Sequence, residues 1–113
     1  MKDCTSKNHQ QIKDKILTSG DYLKRVEFAS KIFALLSEPA RVKILLALME
    51  GELCVYHICE TTGAKQSATS QHLRKLKDGN IIKARKEGNQ VLYSLSDEHI
   101  VDIIDIALQH SKC

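Results

Sequence analysis

Residues 54 to 95 leave this chain fewer ways to fold than any other stretch. The pattern predicts a short helix over residues 54–61, a turn at Gly63, and a polar, basic helix over residues 65–78 whose apolar spots are Ala68, Leu73 and Leu76. Asp78-Gly79-Asn80 ends that helix. Residues 81–86 and 90–95, joined by Glu87-Gly88-Asn89, then read as a β-hairpin with alternating apolar positions in its second strand. Helix, glycine turn, basic helix is the helix-turn-helix arrangement, and a basic hairpin directly behind it is a wing.

The charge is segregated along the chain. Residues 65–86 carry Lys65, Arg74, Lys75, Lys77, Lys83, Arg85 and Lys86 against Asp78 alone, whereas the segment from 94 onward carries Asp97, Glu98, Asp102 and Asp105 against Lys112. The first is a polyanion-binding stretch, with a solvated charged face as the bland alternative. On a recognition helix in the major groove, Gln66, Ser67, Thr69, Ser70, Gln71 and His72 are expected in the exposed N-terminal half, where Gln reads adenine and Ser or Thr meets base or phosphate. His72 is equally readable as a satisfied surface histidine. Arg74, Lys75 and Lys77 would take phosphates, and Arg85, Lys86, Asn89 and Gln90 on the wing would reach the backbone or minor groove.

A length of 113 residues with 42% hydrophobic content gives one small domain with little core to spare. Five aromatics, one proline and five glycines favour a mainly α build. Residues 1–20 read as a flexible N-terminal arm or short helix ending at Ser19-Gly20, and residues 21–113 as the domain proper. Val26, Ala29, Ile32, Phe33 and Leu36 define one helix face; Pro39 starts the next helix, which carries Val42, Ile44, Leu45, Leu48 and Met49 and closes at Gly51. With no long apolar run or cleavable leader, and four cysteines in no paired framework, we expect a soluble, cytoplasmic protein with free thiols and no membrane partner.

The C-terminal segment predicts a helix over residues 97–112, with Ile100, Ile103, Ile104, Ala107 and Leu108 on one stripe. Asp97 and His99 stand at its front and His110 and Cys113 at its back. At about 1.5 Å per residue the two histidines lie roughly 16 Å apart along the rod, too far to share an ion bound at about 2 Å. Eleven residues return within roughly 20° of whole turns, so both ends face the same way. An antiparallel copy would close two symmetric sites of one oxygen, two nitrogens and one sulfur, which implies a two-fold homodimer. The bland alternative makes Asp97 a helix cap and His110 and Cys113 frayed surface residues. Four protein ligands leave no open position for water, which disfavours a hydrolytic zinc enzyme.

Four stretches resemble the ArsR/SmtB family of metal-responsive winged-helix repressors. They are Leu35-Leu36-Ser37-Glu38-Pro39-Ala40-Arg41-Val42-Lys43-Ile44-Leu45, Gly51-Glu52-Leu53-Cys54-Val55, Ser67-Ala68-Thr69-Ser70-Gln71-His72-Leu73-Arg74-Lys75-Leu76 and Glu87-Gly88-Asn89-Gln90-Val91-Leu92-Tyr93-Ser94-Leu95. The tail, Asp97 through His110, is similar to the zinc-sensing branch. The resemblance implies a winged helix-turn-helix homodimer held through N- and C-terminal helices, bound to operator DNA in the apo form and released by Zn(II), with Co(II), Cd(II) and Ni(II) as alternatives. It also implies a link from a ligating histidine, here His110, to the DNA-binding helix. Cys113 stands where the zinc branch usually has a carboxylate or histidine. Where the cadmium- and lead-sensing branch has two cysteines separated by one residue, Cys54 is followed by Tyr56 and His57. A second site from Cys54, with Cys59, His57 and Cys4 of the partner subunit, is incomplete on that pattern; five positions on a helix set Cys54 and Cys59 roughly 140° apart. The rival readings are a thiol-redox or persulfide-responsive repressor using Cys54 and Cys59, and a DNA-binding protein without an effector.

Overall fold

The computed structural model describes residues 8–112, so Cys4 and Cys113 lie outside the described residues. Six helices and three strands follow in the order α1 (His9–Thr18), α2 (Gly20–Leu35), α3 (Pro39–Leu48), β1 (Leu53–Cys54), α4 (Val55–Thr62), α5 (Gln66–Asp78), β2 (Ile82–Glu87), β3 (Gln90–Leu95) and α6 (Glu98–His110). The chain divides into two compact units between Lys31 and Ile32. In the first unit, α1 is a regular helix with no buried residue, and Gly20 opens α2 rather than closing an arm. The second unit is a mainly α winged helix-turn-helix, as the pattern predicts.

Its core joins four helices to the hairpin. Ile44, Leu45 and Leu48 of α3, Ile58 of α4, Leu73 and Leu76 of α5, Ile81 and Ile82 at the root of the hairpin, and Ile100 and Ile104 of α6 form one buried cluster. Pro39 sits in the first turn of α3, where its missing N–H costs no hydrogen bond. Gly63 ends α4 at φ 76°, and its N–H donates to the Cys59 carbonyl. That left-handed residue turns the chain from α4 into α5.

The exit from α5 is a two-bond cap. Ile81 N–H donates to the Leu76 carbonyl at 2.9 Å and Asn80 N–H to the Lys77 carbonyl at 3.0 Å. The left-handed residue of this Schellman cap is Asn80, at φ 61°, and not the preceding glycine. Gly79 answers a packing need instead: a methyl group there would run into the Leu35 side chain. The cap drives Ile81 into the core and launches β2 in register with β3, Ile82 opposite Leu95 and Glu87 opposite Gln90. Only Gly88 and Asn89 remain in the loop, with positive φ at Gly88 alone, the pattern of a type II′ turn.

Three details differ from the pattern. Cys54 belongs to a two-residue strand, β1, pairing Leu53 with Tyr93 and Cys54 with Leu92, so α4 starts one residue later than expected. Ala68 is exposed, and Thr69 takes its place on the inner edge of α5. The apolar face read on α2 carries no buried residue, and Phe33 is 64% exposed.

Replacing the fully buried Leu76 with Ala is expected to lower stability by about 2 to 5 kcal/mol, the loss of transfer energy plus a cavity. Gly63→Ala should cost about 1 to 2 kcal/mol through its left-handed backbone alone. Urea unfolding of both variants checks the two figures.

Candidate nucleic-acid interface and metal-ligand helix

Helix α5 divides into a narrow inner edge and a broad outer surface. Thr69, Leu73 and Leu76 face the core; Gln66, Ser67, Ser70, Gln71, Arg74, Lys75 and Lys77 are exposed. These seven have the exposure that a DNA contact requires. Thr69 does not: it is 0% exposed, and its Oγ1 has no hydrogen-bond partner among the described residues. Its helical phase, four residues before Leu73, turns it inward, so it cannot meet DNA.

His72 sits on the flank between these surfaces and is half-buried. Its Nδ1 accepts a hydrogen bond from Arg41 Nε at 3.2 Å and lies 3.8 Å from Glu38 Oε2. Of the two readings of His72, the satisfied histidine therefore holds for one ring edge.

On the wing, Lys86, Asn89 and Gln90 are exposed. Arg85 is committed within the protein: Nε and Nη2 donate to the two oxygens of Glu52, both at 2.8 Å, and Nη1 lies 2.7 Å from Glu87 Oε2. Arg85 stands on β2 and Glu52 immediately precedes β1, so the pair reaches across β3 and ties both edges of the sheet together. Hydrogen bonding to Arg85 first, and its charge with that of Lys83 next, hold the Glu52 carboxyl below its ordinary range, while Glu52 and Glu87 raise the Arg85 pKa. Arg85 is thus not a free cation for phosphate in this conformation.

Helix α6 begins behind Asp97, next to the hairpin root. Asp97 Oδ1 accepts from the His99 backbone N–H at 2.8 Å and from that of Ile100 at 3.4 Å, a helix cap. Asp97 Oδ2 has no protein partner among the described residues. The His99 side chain is 90% exposed, and its Nδ1 lies 3.5 Å from Asp97 Oδ1. His110, in the last turn, is exposed as well. No group of three or more potential metal ligands comes together among the described residues. The stripe expected on α6 is divided: Ile100 and Ile104 are buried in the core, while Ala107 and Leu108 are exposed and line, with Leu36, Val42, Ile103 and Ile104, a shallow apolar groove.

Cys54 and His57 are the members of the second candidate site that come together. Cys54 Sγ lies 3.3 Å from His57 Nδ1, with Cys54 buried at the start of α4. Cys59 is half-buried one turn on. Glu38, Arg41 and Glu52 were not legible as partners in the sequence, because Arg41 to His72 and Glu52 to Arg85 span 31 and 33 residues and no local pattern signals such pairs.

Residues 38–84 match the family model described as bacterial regulatory protein, arsR family. The chain is 43% identical over 84 residues to a Staphylococcus aureus cadmium resistance transcriptional regulatory protein CadC homolog, covering 74% of this chain and 69% of that one. It is 31% identical over 86 residues to the HTH-type transcriptional repressor SmtB of Mycobacterium tuberculosis, covering 76% and 64%. The homodimeric winged helix-turn-helix DNA-binding domain of a Mycobacterium bovis protein superposes with a TM-score of 0.76 at 24% identity, over 83% of this chain and 87% of that one. No helix among the described residues is long and apolar enough to cross a membrane.

Two outcomes follow from the geometry. Thr69→Val is expected to leave DNA affinity unchanged and to raise stability by about 1 kcal/mol, since it removes a buried unpaired hydroxyl; anisotropy titrations and thermal melts check both halves. Because the Glu52 pKa is lowered, its contribution to the clasp is full above about pH 4.5 and lost as pH falls through the depressed value. The Arg85 Nε–H resonance should report opening in that acid range, and Glu52→Gln should abolish the transition.

Proposed function

The chain belongs to the arsR family of bacterial regulatory proteins, and from that premise we propose that it is a transcriptional repressor that binds operator DNA as a homodimer and is released when a divalent metal bridges the C-terminal helices. The observation that carries the effector site is the layout of α6. Asp97, the cap beside His99, and His99 and His110, which share a helical phase, are all exposed, yet one chain cannot bring them together. A two-fold partner with α6 antiparallel completes each site, Cys113 supplying the fourth ligand. The residues suit a cation: Asp97 caps through Oδ1 alone and keeps Oδ2 free, and neither imidazole is held in the core. Zn(II) fits this donor set best, with Co(II) and Cd(II) next and octahedral Ni(II) less suited to a shell containing thiolate. When bound, the metal neutralises and orients these side chains. His110 is the ligand we assign as the link toward the DNA-binding helix, through its second ring nitrogen.

The names of the two sequence relatives, a cadmium resistance regulator and a repressor, support metal-responsive repression. A second reading is favoured by one contact. Cys54 Sγ, 3.3 Å from His57 Nδ1, is the beginning of a soft-metal or redox-active thiol site, to which Cys59 and Cys4 of the partner subunit could add.

DNA binding is carried by the exposed cations of α5 and the wing. Lys86→Ala should reduce the slope of log K against log salt by about one per subunit, whereas Arg85→Ala should reduce it by less, because Glu52 already holds that guanidinium.

His99→Ala and His110→Ala are expected to leave apo DNA affinity near wild type while abolishing zinc-induced release. Full retention of zinc response would move the sensor to Cys54. Co(II) adds a spectroscopic check. Cys113→Ser should remove a sulfur-to-cobalt charge-transfer band that survives substitution of Cys54 or Cys59. Loss of the band with Cys54 instead would assign the thiolate to α4.

A further inference from the structure

Arg41 is the one buried charged residue among the described residues, and its three nitrogens point to three different places. Nε donates to His72 Nδ1 on the recognition helix at 3.2 Å. Nη1 donates at 3.3 Å to the carbonyl of Leu35, the last residue of α2, and Nη2 lies 3.8 Å from Glu38 Oε2. A guanidinium has donors only and stays protonated. The His72 Nδ1 that accepts from it must therefore carry a lone pair, which puts the proton of the neutral ring on Nε2. Nε2 has no protein partner among the described residues and is not one of the buried unpartnered atoms, so it opens to solvent. It does so on the helix whose neighbouring Gln71 and Ser70 face outward.

We propose that Arg41 is a positioning residue for operator recognition: it fixes His72 as the Nε2–H tautomer and turns that N–H outward as a directed donor to DNA. The proposal rests on the reading of α5 as the recognition helix. The acceptor is a phosphate oxygen or an acceptor on a base edge, and Arg41 itself touches no DNA. Because the same guanidinium grips the end of α2, the orientation of this donor is tied to where α2 ends. Protonation of His72 at Nδ1 would remove the acceptor and set two cations side by side, with Glu38 as the available counter-charge.

Asn and Gln separate the two ring nitrogens, since Asn reproduces the reach of Nδ1 and Gln that of Nε2. His72→Asn keeps an acceptor for Arg41 but has no outward donor. It should melt like wild type and bind a duplex selected by the wild-type protein from a random pool about tenfold more weakly. Wild-type affinity in His72→Asn would overturn the proposal by making the pair purely structural. Long-range proton–nitrogen correlation of nitrogen-15 histidine protein should show His72 as the Nε2–H tautomer, and Arg41→Gln should mix its tautomers while the other four histidines stay unchanged. A wild-type Nδ1–H tautomer would also overturn it. If Arg41→Gln does not fold, the wild-type tautomer and His72→Asn decide the matter alone. Failure of the wild-type protein to select any duplex would sink the DNA-binding reading together with the positioning role, whatever the tautomer.

Discussion

The second unit depends on one narrow apolar edge of an otherwise polar helix. Thr69, Leu73 and Leu76 are the residues that α5 buries, and against them close Ile44, Leu45 and Leu48 of α3, Ile58 of α4 and Ile81 and Ile82 of the hairpin root. An edge this thin leaves the remaining circumference to solvent, which is how a helix can be anchored by its core and still present Gln66, Ser67, Ser70, Gln71, Arg74, Lys75 and Lys77. The Schellman cap extends the same anchor into the wing, because Ile81, whose N–H completes the cap, is also a core residue. Recognition helix and wing are thereby positioned by one packing event.

Most of this was legible in the sequence because it is local. The glycine turn, the basic helix, the hairpin and the amphipathic C-terminal helix each carry a period that single residues enforce. What escaped was either too short to have a period or joined residues far apart. β1 has two residues and exists only because β3 offers it a ladder. Residue type alone offers Thr69 to DNA, whereas its phase relative to Leu73 sends it inward. Arg85 reads locally as a wing cation, but Glu52, 33 residues away, claims it. The division of labour between Gly79 and Asn80 has no local signal either, since the approach of Leu35 is a tertiary fact.

A different kind of gap concerns α2 and α6. Of the face that the pattern defines on α2, Val26, Ala29 and Phe33 are exposed; so are Phe28 beside it and Ile106 and Leu108 on α6. A periodic pattern records that a face is to be covered and does not record whether the cover is the same chain or another. With 42% hydrophobic residues in 113, so many large apolar side chains left in water are costly to a lone chain. Burial against a second copy is consistent with the proposed homodimer, whose α6 helices would also complete the ligand set.

This division of α6 bears on how an effector could reach DNA. Ile100 and Ile104 belong to the same cluster as Leu73 and Leu76, so α6 and α5 share packing partners without a loop between them. Close-packed cores respond to displacement by repacking rather than by flowing. A metal that holds Asp97 and His99 of one chain against His110 of its partner would fix the pitch of α6, and that choice would be felt at the inner edge of α5. The coupling must run both ways. Whatever free energy the metal takes from operator binding, the operator takes from metal binding, so DNA on the outer face of α5 would weaken the grip of the α6 ligands by the same factor.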